Sequence, residues 1–377
     1  MLTWSHTNMK NLFLLASLLF AINGCMKVDK NVQINSEPNG FEITTGLNVS
    51  HWLSQSGSRG AERKQYMQAE DFKVIADMGF DHIRLPIDEE QMWDEEGNRH
   101  EEAFELMHNA INWAFDNNLR VILDLHILRS HHFNRADSRS LWDDPEAQQQ
   151  FWNYWDELSN ELAPYPNDSL AYELMNEAVA EDPEDWNSLI AGGISVVREK
   201  EPKRTIIVGS NRWQSTSTFK DLRVPKDDKN LILSFHIYDP FLISHYKAPW
   251  TGDLSSFDGE VKYPGLTVDT TDYKNYSPET VSALKMHNGV HNKEVLEKRI
   301  MLAVSVAKEY GLPLYCGEYG MFPTTPIEMR AEIYQDLTNI FNTYDIARTH
   351  WNYKNDFPVV DPVTLEPIED IVSIITQ

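Results

Sequence analysis

The chain has 377 residues, 41% of them hydrophobic and 24% charged, which is the composition of an ordinary globular protein and excludes a disordered or collagen-like one. Acidic residues outnumber basic ones by 58 to 33, and the net charge of -25 repels phosphate backbones and anionic lipid headgroups, so nucleic acid is excluded as a natural partner. Two cysteines, Cys25 and Cys316, cannot supply a disulfide framework.

The first feature in chain order is an apolar run from Leu12 to Ile22, preceded by Met9 and Lys10 and followed by Asn23-Gly24-Cys25. As a helix it would rise only about 16 Å, too little for a bilayer core of roughly 30 Å, so it reads as the apolar part of a signal peptide over residues 1–24. Met9 is the more natural start, because Lys10 then stands directly before the run. The ending resembles a lipobox, with Asn23 an unusual occupant. Cys25 would then become a lipidated first residue, and the polar stretch 26–40 a tether. The expectation is an exported protein on the outer membrane or cell surface, with periplasmic or secreted forms as alternatives. A lipid anchor would be its one membrane contact.

From Phe41 onward, β-branched runs alternate with stretches of helical period, the signature of repeated βα units. The strands are expected at Phe41–Ser50, His82–Asp88, Arg120–His126, Ser169–Glu177, Thr205–Ser210, Leu231–Tyr238, Pro313–Tyr319 and Ala347–Tyr353. Helices are expected at Ala69–Met78, Glu101–Asn117, Pro145–Leu162, Trp186–Lys200, Lys293–Tyr310 and Ile327–Tyr344. The stretch Asn211–Asn230, rich in Ser and Thr, makes a poor helix, and Phe241–Asn292 is a long irregular segment of the kind that usually lines a site. An open dinucleotide-binding sheet would carry a Gly-rich turn after its first strand, and Gly-Leu-Asn-Val-Ser-His-Trp is not one. The reading is therefore α/β, a (β/α)8 TIM barrel forming a single catalytic domain over 41–377.

In such a barrel the chemistry sits where the strands end. Those ends carry Arg84, Asp124 with His126, Asn176 with Glu177, His236 with Tyr238, Glu318 with Tyr319, and His350 with Trp351. Each alone is commonly structural. Gathered at one rim they would be buried polar groups in need of one another, which marks a functional site. Two carboxylates without a nucleotide or metal motif suggest glycoside hydrolysis, one staying ionised and the other holding its proton.

These residues resemble glycoside hydrolase family 5, the cellulase-type retaining β-glycosidases of clan A, over about Phe41 to Asp361. The resemblance implies that Glu177 of Leu-Met-Asn-Glu is the acid/base and Glu318 of Tyr-Cys-Gly-Glu-Tyr-Gly the nucleophile. It also implies that Asn176 binds the sugar 2-hydroxyl, that Arg84 and Tyr238 support the nucleophile, that His126 and His236 line the cleaved sugar's subsite, and that Trp351 is its platform. Ala178 stands where the family often has Pro. No cofactor is implied. The substrate would be a β-linked oligo- or polysaccharide, with endo-β-1,4-glucan cleavage as the first expectation. Exo-acting β-glucosidase, β-1,3- or β-1,6-glucanase and β-mannanase activities are the alternatives, and a monomer is expected. Further sugar platforms are sought at His51, Trp52, Trp142, Trp213 and Trp250, whereas Trp113, Trp152 and Trp155 read as packing residues. Two rival readings are a metal-dependent hydrolase using His126, His131 and His132, and a surface glycan-binding lipoprotein without turnover.

Overall fold

A computed structural model describes residues 40–135 and 137–377. The signal-peptide, Cys25 and tether readings lie outside them. Among the described residues no helix is long and apolar enough to cross a membrane.

Eight parallel strands close into a barrel: β1 Thr45–Asn48, β2 His82–Asp88, β3 Arg120–Ile127, β4 Leu170–Glu173, β5 Thr205–Gly209, β6 Leu231–His236, β7 Leu314–Tyr319 and β8 Ala347–His350. Each pairs with its neighbours in order, and β8 closes on β1. Several strands are shorter than their sequence runs. β4 stops at Glu173, so Asn176 and Glu177 stand beyond its hydrogen-bonded ladder.

Strand alternation sorts the side chains into two sets. Val121, Leu123 and Leu125 of β3, Ile83, Leu85 and Ile87 of β2, and Leu231, Leu233 and Phe235 of β6 face the helices and join the main core. The opposite face lines the barrel. There a small apolar plug of Ile122, Ala171, Ile207, Ile232 and Tyr315, with Phe41 against it, fills the bottom. The next inward positions up the same strands are Asp124, Glu173, Gly209 and Ser234. The interior thus turns from apolar to polar, with two carboxyl groups, over two residues of each strand.

The helical layer includes Ala69–Asp77, Glu101–Asp116, Pro145–Leu162, Pro183–Lys200, Lys293–Tyr310 and Ile327–Tyr344. Pro183–Lys200 starts three residues earlier than its period suggests, because Asp182 caps the Glu184 N–H and Pro183 takes the first helical position. In place of a helix, Asn211–Asn230 forms a left-handed turn and a short 3-10 segment, Thr216–Asp221. Phe241–Asn292 is less irregular than expected. It holds a helix, Pro278–His287, capped by Ser277, and a two-stranded antiparallel ribbon of Gly265–Leu266 with Val290–His291.

Candidate active site

Arg84 is the hub of the rim. It is fully buried, and its Nε donates to Glu173 Oε2 at 2.6 Å. Nη1 donates to Asn48 Oδ1 and Glu318 Oε1, both at 2.9 Å, and Nη2 donates to Asn176 Oδ1 at 2.8 Å. Asp124 Oδ2 lies 3.0 Å from the same Nη2. One guanidinium thus faces three carboxylates, and their charges raise its pKa against the opposing pull of burial.

Glu318 reaches this network through an irregularity. Tyr315 and Gly317 of β7 point inward, so simple alternation would turn Glu318 toward the helices. The register with β6 slips between Phe235 and His236, and His236 pairs with Glu318. Glu318 Oε2 then accepts from the Tyr238 hydroxyl at 2.8 Å. Gly317 permits the approach: a Cβ there would come within 2.9 Å of His236 Nε2.

Glu177 is held differently. Its backbone is left-handed, with φ of 43°, an unusual conformation for a residue with a side chain. Its N–H donates to Gln214 Oε1 at 2.9 Å, and its carbonyl lies 3.2 Å from His131 Nε2. Gln214 in turn donates to Ser234 and Glu173. It gets there from a turn in which Arg212, Trp213 and Gln214 all have positive φ, and it packs where Gly209 leaves no Cβ in the way.

The two glutamates meet across the barrel mouth. One carboxylate oxygen of each, together with a ring nitrogen of His236, lie within 4.8 Å of one another. His236 Nδ1 is 3.0 Å from Glu177 Oε1 and 3.6 Å from Glu318 Oε2. Burial holds His236 well below the usual imidazole range, so its ring is neutral.

Burial raises the pKa of both glutamates, but their surroundings separate them. Glu177 is driven well above the carboxylate range by burial and then by the charge of Glu318. For Glu318, burial is opposed by the Arg84 charge and the Tyr238 hydrogen bond. Glu318 therefore gives up its proton first, and Glu177 keeps one.

His126 is packed beside Trp351, ring centroids 5.5 Å apart and planes 11° from parallel. Its Nδ1 is 2.6 Å from Asp124 Oδ2 and its Nε2 is 2.8 Å from the side-chain nitrogen of Gln55. His51 lies edge-on to Trp351 at 6.1 Å and pairs with Asp356 at 3.0 Å. Thus Arg84, Asp124, His126, Asn176, Glu177, His236, Tyr238, Glu318 and Trp351 form one cluster, with His51 at its edge.

Trp213 stands beside Glu177, its backbone N–H donating to the Ala178 carbonyl and its indole N–H to that of Phe133. Trp250 is 46% exposed and packs on Phe322 and Phe357, the latter 5.9 Å from the Tyr238 ring.

Two expected platforms are corrected. Trp52 is 1% exposed and donates to the Arg63 carbonyl, so it belongs to the core. Trp142 is buried between His131 and Trp186 and offers no face to a ligand. His350 and Tyr319 face outward and pack against Tyr334 in the helical layer. The histidines of the metal reading do not converge, since His126 is engaged by Asp124 and Gln55 and His131 by Glu177. Asn48, Gln55, Glu173 and Gln214 are site residues that the motifs did not reveal. Glu173 alone carried a signal, as an acid in the middle of the otherwise apolar run from Leu170 to Met175.

The profile of the cellulase family, glycosyl hydrolase family 5, matches residues 37–357. Endoglucanase C of Acetivibrio thermocellus is 29% identical over 336 residues, covering 88% of this chain and 97% of its own. Cellodextrinase A of Ruminococcus flavefaciens is 27% identical, covering 81% of this chain and 84% of its own. Among solved structures, Thermotoga maritima Cel5A in complex with mannotriose superposes with a TM-score of 0.72 at 22% identity, over 89% of this chain and 98% of that one. With the profile spanning most of the barrel and the clustered rim beneath it, the chain belongs to the cellulase family, glycosyl hydrolase family 5.

Proposed function

We propose that the chain is a retaining endo-β-1,4-glucanase in which Glu318 is the nucleophile and Glu177 the acid/base. The observation that carries the reading is the pair of facing carboxyl groups, with oxygens within 4.8 Å, since retaining hydrolases hold theirs about 5–5.5 Å apart. Glu318, supported by Arg84 and Tyr238, attacks the anomeric carbon while Glu177 protonates the departing glycosidic oxygen. A glycosyl ester to Glu318 and a free sugar hydroxyl result. Water then adds to the anomeric carbon, Glu177 takes its proton, and Glu318 leaves as carboxylate. Asn176, with its Nδ2 buried and unpartnered among the described residues, is available to donate to a sugar hydroxyl.

The relatives named endoglucanase and cellodextrinase support a β-1,4-glucan substrate. Incubation with cello-, laminari-, gentio- and manno-oligosaccharides, read by product length and anomer, tests linkage and mode together. Internal cleavage of cello-oligosaccharides to β-anomers is the expected result; release of single glucose units or inverted products would overturn it. We further propose that Cys25 anchors the enzyme to a membrane surface, so that Cys25→Ser moves it from the membrane to the soluble fraction.

A further inference from the structure

The loop after β1 is held as firmly as the glutamates. His51 and Gln55 at its two ends both have positive φ, 58° and 52°, and neither is a glycine. Conformations of that kind persist only where the surroundings enforce them. Ser50 accepts from Asn352 at 2.8 Å, His51 pairs with Asp356, and the Gln55 N–H donates to Asp88 Oδ2 at 2.7 Å. Gln55 is thereby fixed against His126 while remaining partly exposed.

Its side chain has a defined partner. A neutral imidazole has one donor and one acceptor nitrogen. His126 Nδ1 lies 2.6 Å from Asp124 Oδ2, an oxygen that already faces the Arg84 Nη2 donor at 3.0 Å and so serves as an acceptor, which assigns Nδ1 as the donor. Nε2 is then the acceptor, and the group 2.8 Å away must be the Gln55 amide N–H. Among the described residues no hydrogen bond is made to Gln55 Oε1. It is an acceptor set beside the ring pair of His126 and Trp351.

We propose that Gln55 is a positioning and specificity residue: its amide nitrogen fixes His126 in the Nδ1–H form, and its Oε1 accepts a hydroxyl of the sugar held against Trp351. The sugar-binding half rests on the glucanase reading above; the tautomer half does not. Carbohydrate recognition of this kind depends on a preset direction for each donor and acceptor, and a ring free to choose its tautomer would present the wrong one part of the time.

The test uses the full barrel domain with Gln55→Ala, and Gln55→Leu as a variant of similar length without the amide. In the wild-type protein, nitrogen-15 NMR of the histidine rings should assign His126 as a single Nδ1–H tautomer, and both variants should show exchange between tautomers. On cellotetraose, kcat/KM should fall about tenfold, mostly through KM, the size of one hydrogen bond to a neutral group. Unchanged His126 ring signals overturn the positioning role, and an unchanged KM overturns the sugar contact. Should wild-type protein fail to cleave cellotetraose, the glucanase reading falls instead, and the ring signals still decide the tautomer half.

Discussion

The floor of the cleft and its wall are built by opposite means. Around Arg84 the floor is ionic and dry: Arg84, Asp124 and Glu173 have no exposure, and every guanidinium nitrogen has a carboxylate or amide partner. The wall at Trp250 is aromatic and partly wet, joined to the floor through Phe357 and Tyr238. Directional bonds over-determine the first, and contact area alone holds the second. Substitutions that break the floor's bonds should therefore change chemistry and stability together, isosteric ones such as Glu to Gln should change chemistry alone, and those in the wall should change affinity only.

The largest expected effect is at Glu318. Glu318→Gln should keep the fold and substrate binding while lowering turnover on the order of 10⁴-fold or more. Steady-state rates beside calorimetric binding check it, and near-normal turnover would refute the nucleophile assignment. Arg84→Met should follow, because it leaves Asp124, Glu173 and Glu318 without their shared cation. The expected loss is about 3–5 kcal/mol of stability, measured by denaturant unfolding, together with activity. A variant stable to within about 1 kcal/mol would show that the floor is less tightly coupled than its distances suggest.

Tyr238→Phe is subtler. The Tyr238 hydrogen bond lowers the Glu318 pKa, and on the proposed mechanism the acid limb of kcat/KM belongs to Glu318, so its removal should move that limb to higher pH. A bond to a charged acceptor is worth about 1.5–3 kcal/mol, or roughly one to two pH units. The alkaline limb, which the same mechanism gives to Glu177, should move less. The smallest effect is expected from Trp250→Ala: roughly a fivefold rise in KM for long cello-oligosaccharides, with kcat and melting temperature near wild type. A large fall in melting temperature would make the wall part of the fold's support.

The barrel and most of the rim were legible because both follow from period two. Once Val121, Leu123 and Leu125 are assigned to the helices, Asp124 and His126 must face inward. Glu177 and Glu318 stand where the backbone leaves that period and were reached through the family motifs instead; legibility failed where the backbone leaves it with no motif to mark the place. Gln214 enters from three consecutive left-handed residues, and Gln55 from another, and no pattern of apolar residues announces either. Trp52 and Trp142 were misjudged because a position between elements says nothing about exposure. The helix Pro278–His287 buries only Thr280 and Leu284, too thin a stripe to show as a period, although Ser277-Pro278 marks its start.

The left-handed backbone at Glu177 has a consequence for how such a protein could decay. Glycine or asparagine takes that conformation more readily than glutamate, which pays about 1 kcal/mol for it. Replacing Glu177 by glycine should raise the melting temperature slightly while abolishing proton transfer to the leaving group. Drift away from catalysis at this position therefore runs downhill in folding free energy, and a sugar-holding descendant that no longer cuts would be the sturdier molecule.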